Sequence, residues 1–476
     1  MKTLCFGNTS ADTDILVSKL AQENNSVNRG LVTKAEQIIE DGFYHTSIVD
    51  MSPLEISKLD CEIIILDQPK ESYNDVREYY QTKALLNQGG YWKKLLEVNK
   101  SFCIFPFINM STKHDNVTLC CRSMESIGKI QDGYPYKDYW KTSKAHADVR
   151  AKLLKGEKIK NCQSCYRTEE KLGTSDRIKQ TLDWADKLDL LTVNDINFDH
   201  PVMYDMFPNN NCNLMCRICS PVYSKLIARE YKELGLEVID DNVSTDWKYI
   251  DINTAQVVYI AGGEPTAMKE FYQFLQRCIK HKRTDIEIRI NTNANKISKP
   301  LFNLLEKFSN IVFTISVDGY GLANDYSRWL SDWHRLVDNC RTIRLQGHRL
   351  NFNIVTSIYT VFSLPKLLQW LDEDYKQCIV SIQYSGNINN MLTPFMFEYN
   401  QSILQEFEKV KGLDICKKNQ NLVNFIENLI SRASASKLNK NKLIEFFKFN
   451  DRLDSSRNSK LADYIPELAE KRKLVE

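Results

Sequence analysis

Asn209-Asn-Asn-Cys-Asn-Leu-Met-Cys-Arg-Ile-Cys-Ser-Pro-Val222 places three cysteines, Cys212, Cys216 and Cys219, at C-x3-C-x2-C spacing. Thiolates are soft ligands that suit iron–sulfur clusters. Three thiolates on a 4Fe–4S cubane leave one iron open, and an open iron can bind a small molecule, as an open position does at a catalytic zinc. Two plainer readings of the same residues are a structural zinc knot short of one ligand and three buried cysteines. Closely spaced cysteines without a secretory signal point to metal rather than to disulfides.

Working outward, residues 200–390 alternate strand and helix. A strand over 202–207 runs into the cysteine loop and a helix over 221–234 leaves it. Strands follow at 257–260, 286–290, 311–316, 352–356 and 380–384, with helices at 268–280, 299–307, 332–343 and 364–371. Short apolar strands joined by helices imply a parallel, partial barrel with strands buried on both faces. In such barrels the loops after the strands carry the chemistry, and the cysteine loop follows the first strand. Ala261-Gly-Gly-Glu-Pro-Thr follows the second. Its glycines, Gly262 and Gly263, permit close backbone approach to a ligand, and Glu264 could pair with a bound ammonium group. Asn291-Thr-Asn-Ala-Asn after the third strand offers amide donors and acceptors, and Ser316-Val-Asp-Gly follows the fourth. Each loop alone could be an ordinary polar turn; in order, each after a strand, they form one pattern.

Upstream, residues 91–185 hold a second set of cysteines. Cys103 stands in Cys-Ile-Phe-Pro-Phe, Cys120 and Cys121 end Asn116-Val-Thr-Leu-Cys-Cys, and Cys162 and Cys165 form Cys-Gln-Ser-Cys. A C-x2-C pair offers two thiolates to one metal from a tight turn. Cys103 and Cys120 would complete a closed site, with Cys121 a spare because neighbouring strand residues point to opposite faces. Local spacing leaves four-thiolate zinc and an iron–sulfur cluster both open. The segment 137–160 is basic and reads as a solvated helical face.

Residues 1–90 read as a small α/β unit with strands at 3–6, 44–49 and 62–66 and helical patterns at 14–22 and 33–40, which implies a parallel sheet. Gly7-Asn-Thr-Ser and Asp67-Gln-Pro-Lys end strands as polar loops, and neither is a phosphate-binding motif. Asn87-Gln-Gly-Gly marks the boundary. Residues 395–476 look helical and charged, with amphipathic stretches at 425–430 and 443–449 and a polar end at 451–457.

The 476 residues set a prior of about three domains. Lys plus Arg number 63 against 61 Asp plus Glu, so no global charge draws the chain to nucleic acid or to an anionic membrane. No run approaches the roughly 18 apolar residues that span a bilayer. The N-terminus lacks the apolar stretch of a signal peptide. Clustered rather than scattered cysteines, 14 in all, imply a reducing, cytoplasmic setting.

Together these residues resemble the radical S-adenosylmethionine enzymes. Cys212, Cys216 and Cys219 resemble the motif that holds their 4Fe–4S cluster. Gly262-Gly263-Glu264-Pro265 is similar to the loop that binds the methionine amino group, and Asn293 and Ser316 stand where that family contacts the ribose or carboxylate of the cofactor. The resemblance implies an α/β fold with a partial (β/α)6 TIM-like barrel over 200–390. It also implies reductive cleavage of S-adenosylmethionine and hydrogen abstraction from a substrate, with electrons from a donor such as flavodoxin or ferredoxin. Cys103, Cys120, Cys162 and Cys165, with Glu169 or Glu170, Gly173, Ser175 and Arg177 behind them, resemble a twitch or SPASM-like module. That shifts the second site from zinc toward an auxiliary iron–sulfur cluster. Two departures stand out: the module precedes the barrel, and Ile218 replaces the usual aromatic residue before the last cysteine. A peptide or protein substrate follows from the auxiliary module. A small molecule (a sugar, nucleoside or alcohol) and a non-catalytic iron–sulfur redox protein are the alternatives, the last opposed by the intact Glu264 loop.

Overall fold

The computed structural model describes residues 90–476, apart from 114–115, 124, 131–134, 191, 198, 239–246 and 386–390, together with three strands of the first 89 residues. Those strands, β1 (Thr3–Phe6), β2 (Phe43–Thr46) and β3 (Glu62–Ile65), pair in parallel in the order β2-β1-β3. This is the sheet implied by the alternating apolar runs. The helical patterns at 14–22 and 33–40 and the loops opening at Gly7 and Asp67 lie outside the described residues.

A nine-stranded sheet forms the larger element, in the order β12-β11-β10-β9-β8-β7-β4-β5-β6. Strands β7 (Met203–Phe207), β8 (Val257–Ile260), β9 (Glu287–Thr292), β10 (Ile311–Ser316), β11 (Arg349–Thr356) and β12 (Val380–Tyr384) run parallel and neighbour one another in chain order. Helices Lys225–Glu233, Lys269–Lys280, Lys299–Leu305, Trp333–Leu345 and Leu364–Tyr375 connect them. This is the partial (β/α)6 barrel.

β7 is buried on both faces, but β9 to β12 are not. They alternate, as period-two side chains allow. Ile288, Ile290, Phe313, Ile315, Phe352 and Ile354 are buried in the core beneath the helices. Burial of each contributes about 1.5–3 kcal/mol. Arg289, Asn291, Thr314, Ser316, Asn351 and Asn353 point the other way and stay half-buried. The register aligns Asn291 with Thr314, Thr314 with Asn351, and Ser316 with Asn353, so the inner face is a polar lattice.

The chain folds as two compact units, one of residues 1–108, 122–125 and 144–198, the other of 109–121, 126–143 and 199–476. Residues 91–185 contribute to both units. Strand β4 (Asn109–Lys113) pairs in parallel with β7, and β5 (Asn116–Thr118) and β6 (Gly128–Lys129) extend the sheet antiparallel. β4 reads Asn-Met-Ser-Thr-Lys, too polar to announce a strand inside a sheet. The C-terminal region is helical, with Gln401–Val410, Gln420–Ser434 and Lys440–Arg457 its longest helices. The polar end expected at 451–457 is the last two turns of Lys440–Arg457, which stops at Asn458 in a left-handed conformation. Among the described residues no helix is long and apolar enough to cross a membrane.

Candidate functional site

The cysteine loop leaves β7 at the carboxyl end of the sheet and is fastened at several points. Lys225 N donates to Asn210 O (3.0 Å) and Glu264 N to Asn211 O (2.7 Å). Ser224 caps helix Lys225–Glu233 and donates its hydroxyl to Leu214 O (3.2 Å), so the helix start and the loop hold each other. Met215 N and Arg217 N donate to Trp329 O (2.9 Å) and Ser327 O (2.7 Å), pinning the backbone on both sides of Cys216.

Gly262 and Gly263 are required by conformation and by space. Their φ values are +85° and +51°, where only glycine is at ease. A Cβ on Gly262 would lie 2.3 Å from the Phe207 ring, and one on Gly263 would lie 2.3 Å from Asn211 O. The loop after β8 thus lies directly against the cysteine loop.

Glu264 does not reach outward. Its carboxylate is buried and accepts four hydrogen bonds. Oε1 takes Thr266 N (3.1 Å), Thr266 Oγ1 (2.6 Å) and Thr292 Oγ1 (2.6 Å), and Oε2 takes Asn293 N (2.7 Å). Burial pushes its carboxyl up, while these donors pull it down. Through these bonds the side chain staples the β8 loop to the end of β9. Asn293 is a link as well: Nδ2 donates to Asn213 Oδ1 (3.0 Å) in the cysteine loop, and Oδ1 accepts from Asn295 N (2.9 Å). Pro265 is buried at the start of the turn Pro265–Ala267. Ser316 ends β10 half-buried on the polar inner face.

Sequence reasoning missed Arg328. Its Nη1 donates to Cys216 Sγ at 3.9 Å, and its Nε pairs with buried Asp318 at 2.8 Å. Burial opposes its charge, but Asp318 and then Cys216 outweigh that, and the guanidinium titrates above its ordinary value. Asp318 in turn accepts Val355 N (3.0 Å), which ties the β10 loop to the end of β11. Nothing local in Ser327-Arg-Trp announces this; the signal that could have found it is Ser316-Val-Asp318, with its carboxylate at a strand end.

Burial raises all three thiols, and Cys216 further raises the other two. Burial pushes up Cys212, with Cys216 the next cause. Cys219 is raised to about 12 by burial and then by Cys216. Cys216 is raised by burial and eased by Arg328. A thiol group so placed gives up its protons on taking a metal. Leu214 N reaches Cys212 Sγ (3.5 Å) and Arg328 reaches Cys216, so two sulfurs already carry donors that favour the thiolate. By the chemistry of their donors, three thiolates suit a 4Fe–4S cluster with one iron left open. A cavity of about 460 Å³ opens beside them, lined by Cys216, Ile218, Cys219, Arg328, Val355 and Gln383 among others.

The second cysteine set is in part gathered within the first unit. Cys162 closes the turn Lys160–Cys162, and Cys165 sits in the first turn of helix Gln163–Leu172. Burial lifts Cys103 well above the thiol range, with Cys162 next and Cys165 also contributing. Cys162 is raised to about 11 by burial and then by Cys165. Behind them Arg177, itself buried, donates Nε and Nη2 to Glu169 (2.8 and 2.6 Å) and Nη1 to Phe102 O (2.6 Å), and Ser175 donates to Glu169. The partner is Glu169 and not Glu170, which lies 3.9 Å from Lys158. Cys120 and Cys121 belong to the other unit. They lie in the turn past β5, so strand alternation does not separate them. Among the described residues no three His, Cys, Asp or Glu side chains are arranged to hold a single metal ion.

Residues 206–365, about a third of the chain, match the model of the Radical SAM superfamily. No curated protein matches. Similar solved structures include SuiB of Streptococcus suis bound to S-adenosylmethionine, at 19% identity and TM-score 0.33, covering 60% of this chain and 60% of that one. Another is anSMEcpe with bound AdoMet, at 17% identity and TM-score 0.32, covering 51% of this chain and 65% of that one. The chain thus spans less than two thirds of these proteins.

Proposed function

We propose that this chain is a radical S-adenosylmethionine enzyme that acts on a peptide or protein. The observation that carries the reading is convergence. The cysteine loop after β7, the glycine pair after β8, Asn293 after β9 and the Asp318–Arg328 pair after β10 share one end of the sheet and are bonded to one another. Cys212, Cys216 and Cys219 would hold the cluster. When bound and reduced, that cluster supplies the electron that splits S-adenosylmethionine into methionine and a 5′-deoxyadenosyl radical able to abstract hydrogen.

The remaining work belongs to the chain. Gly262 and Gly263 bring backbone carbonyls within reach of the ammonium group, and Glu264 and Asn293 hold that backbone in place. Ser316 offers a hydroxyl to the ribose or carboxylate. Arg328 donates toward a ligand sulfur, which raises a cluster's potential. Cys103, Cys162 and Cys165 would offer thiolates to an auxiliary iron–sulfur cluster. That second set and the polar inner face of the barrel support a peptide substrate, whose amides Asn291, Asn351 and Asn353 can meet. A flavodoxin or ferredoxin would supply electrons in a cytoplasmic setting.

Anaerobically reconstituted, reduced protein should release 5′-deoxyadenosine from S-adenosylmethionine, and no release would overturn the assignment. Alanine at residues 212, 216 and 219 together should remove about four irons per chain. Alanine at 103, 162 and 165 should remove a separate set. Loss of zinc in that second experiment would refute the auxiliary cluster.

A further inference from the structure

The helix Lys440–Arg457 sends two charged side chains into the cluster loop and its following helix. Arg217, between the second and third cysteines, is buried and donates Nη2 to Asp454 Oδ1 at 2.6 Å and Nη1 to Asn450 Oδ1 at 3.2 Å. Its guanidinium lies 3.7 Å from the centre of the Tyr326 ring, and Tyr326 also donates its hydroxyl to Asp454 (2.8 Å). One turn on, Arg457 donates two bonds to Glu230 (2.8 and 2.6 Å), which sits on helix Lys225–Glu233 directly after the cysteine loop. The two pairs are close to fully buried, with side-chain exposures of 0% and 11% for Arg217 and Asp454 and 2% and 3% for Arg457 and Glu230.

Burying an ion pair carries a desolvation penalty that well-packed apolar residues would not. Two such pairs, on one helix, flanking one loop, are an expensive way to gain stability and an effective way to fix position. We propose that Lys440–Arg457 is a positioning clamp for the cluster, and that Asp454 and Arg457 set where Cys216 and Cys219 present their sulfurs. The helix acts through Arg217 on the loop from one side and through Glu230 on the helix after it from the other. Asp454 further accepts Ser459 Oγ (2.8 Å) and Leu461 N (3.0 Å), so the clamp is itself braced by the chain that follows. The inference rests on the reading of Cys212, Cys216 and Cys219 as cluster ligands.

The test is an Arg217→Met, Asp454→Asn double variant, which removes both charges and keeps an acceptor for Leu461 N. With the cluster reconstituted anaerobically, the variant should keep its melting transition near that of the parent yet lose iron to a chelator at least about tenfold faster, as outer-shell changes do at metal sites. The reduced-cluster EPR signal should shift or broaden. Iron retention and an EPR signal equal to the parent's would overturn the clamp. A second measurement uses the unaltered chain. Because coupling is reciprocal, loading the cluster must slow amide hydrogen exchange along 443–457. Equal exchange in the apo and loaded forms would overturn the proposal whatever the variant does. A parent chain that takes up no iron would instead refute the assignment of the three cysteines.

Discussion

Glu264→Gln separates two roles for the carboxylate. The change is nearly isosteric. The amide oxygen can replace Oε1 and keep Thr266 N, Thr266 Oγ1 and Thr292 Oγ1, but the amide nitrogen then faces Asn293 N, a donor against a donor. Leaving that buried N–H unsatisfied costs about 1–3 kcal/mol, and the remaining three bonds lose their charge assistance. The sum is about 3 kcal/mol, which should lower the melting temperature by about 5 °C. Asn293 also holds Asn213 of the cysteine loop (3.0 Å), so the displacement reaches the cluster. Calorimetric melting of the apo chain and anaerobic titration of S-adenosylmethionine into the loaded chain should therefore both suffer. If the apo variant melts with the parent while only cofactor affinity collapses, the carboxylate binds the ammonium directly and the staple is refuted.

Gly262→Ala sets a methyl group against the Phe207 ring at a φ of +85°; overpacking and strain should cost about 1–3 kcal/mol and weaken cofactor binding, read by melting and titration, and Phe207→Ala in the same chain should recover part of the loss. Arg328→Met leaves Asp318 buried and unpaired and should destabilise by about 3–5 kcal/mol. Arg328→Lys keeps the charge, so the protein should fold, with the cluster potential lowered in a redox titration because the donor to Cys216 is lost. Asp205 is buried beside Ser111 and raised to about 6, from 3.8, by burial foremost. A raised carboxyl contributes stability when protonated and loses it as pH rises through the unfolded value toward the folded one. Between about pH 4 and 6 some 3 kcal/mol should be lost, and Asp205→Asn should flatten that stretch of the stability profile.

The parts of this molecule legible in its sequence are those written locally. C-x3-C-x2-C after an apolar strand, two glycines before Glu264, and strands spaced by helices all lie within a few residues of the signal they give, and the barrel strands β7–β12 stand where that pattern puts them. Strand β4 escaped because Asn109–Lys113 is polar, and its place beside β7 depends on pairing across the chain. The alternating, polar inner face escaped for a related reason: short strands show their period only once one face is known to be covered. The neighbours of Glu264 in sequence suggest a ligand-binding turn, but its bonds to Thr292 and Asn293 come from residues brought in by the next strand and were not legible there. Arg328 meets Cys216 across a separation of 112 residues and Arg217 meets Asp454 across 237. Residue type and spacing determined which groups this chain carries in its cysteine and glycine loops. Which of them face the site and which hold it in place was decided by tertiary packing, because a buried charge or carboxylate takes its role from the partners that folding brings to it.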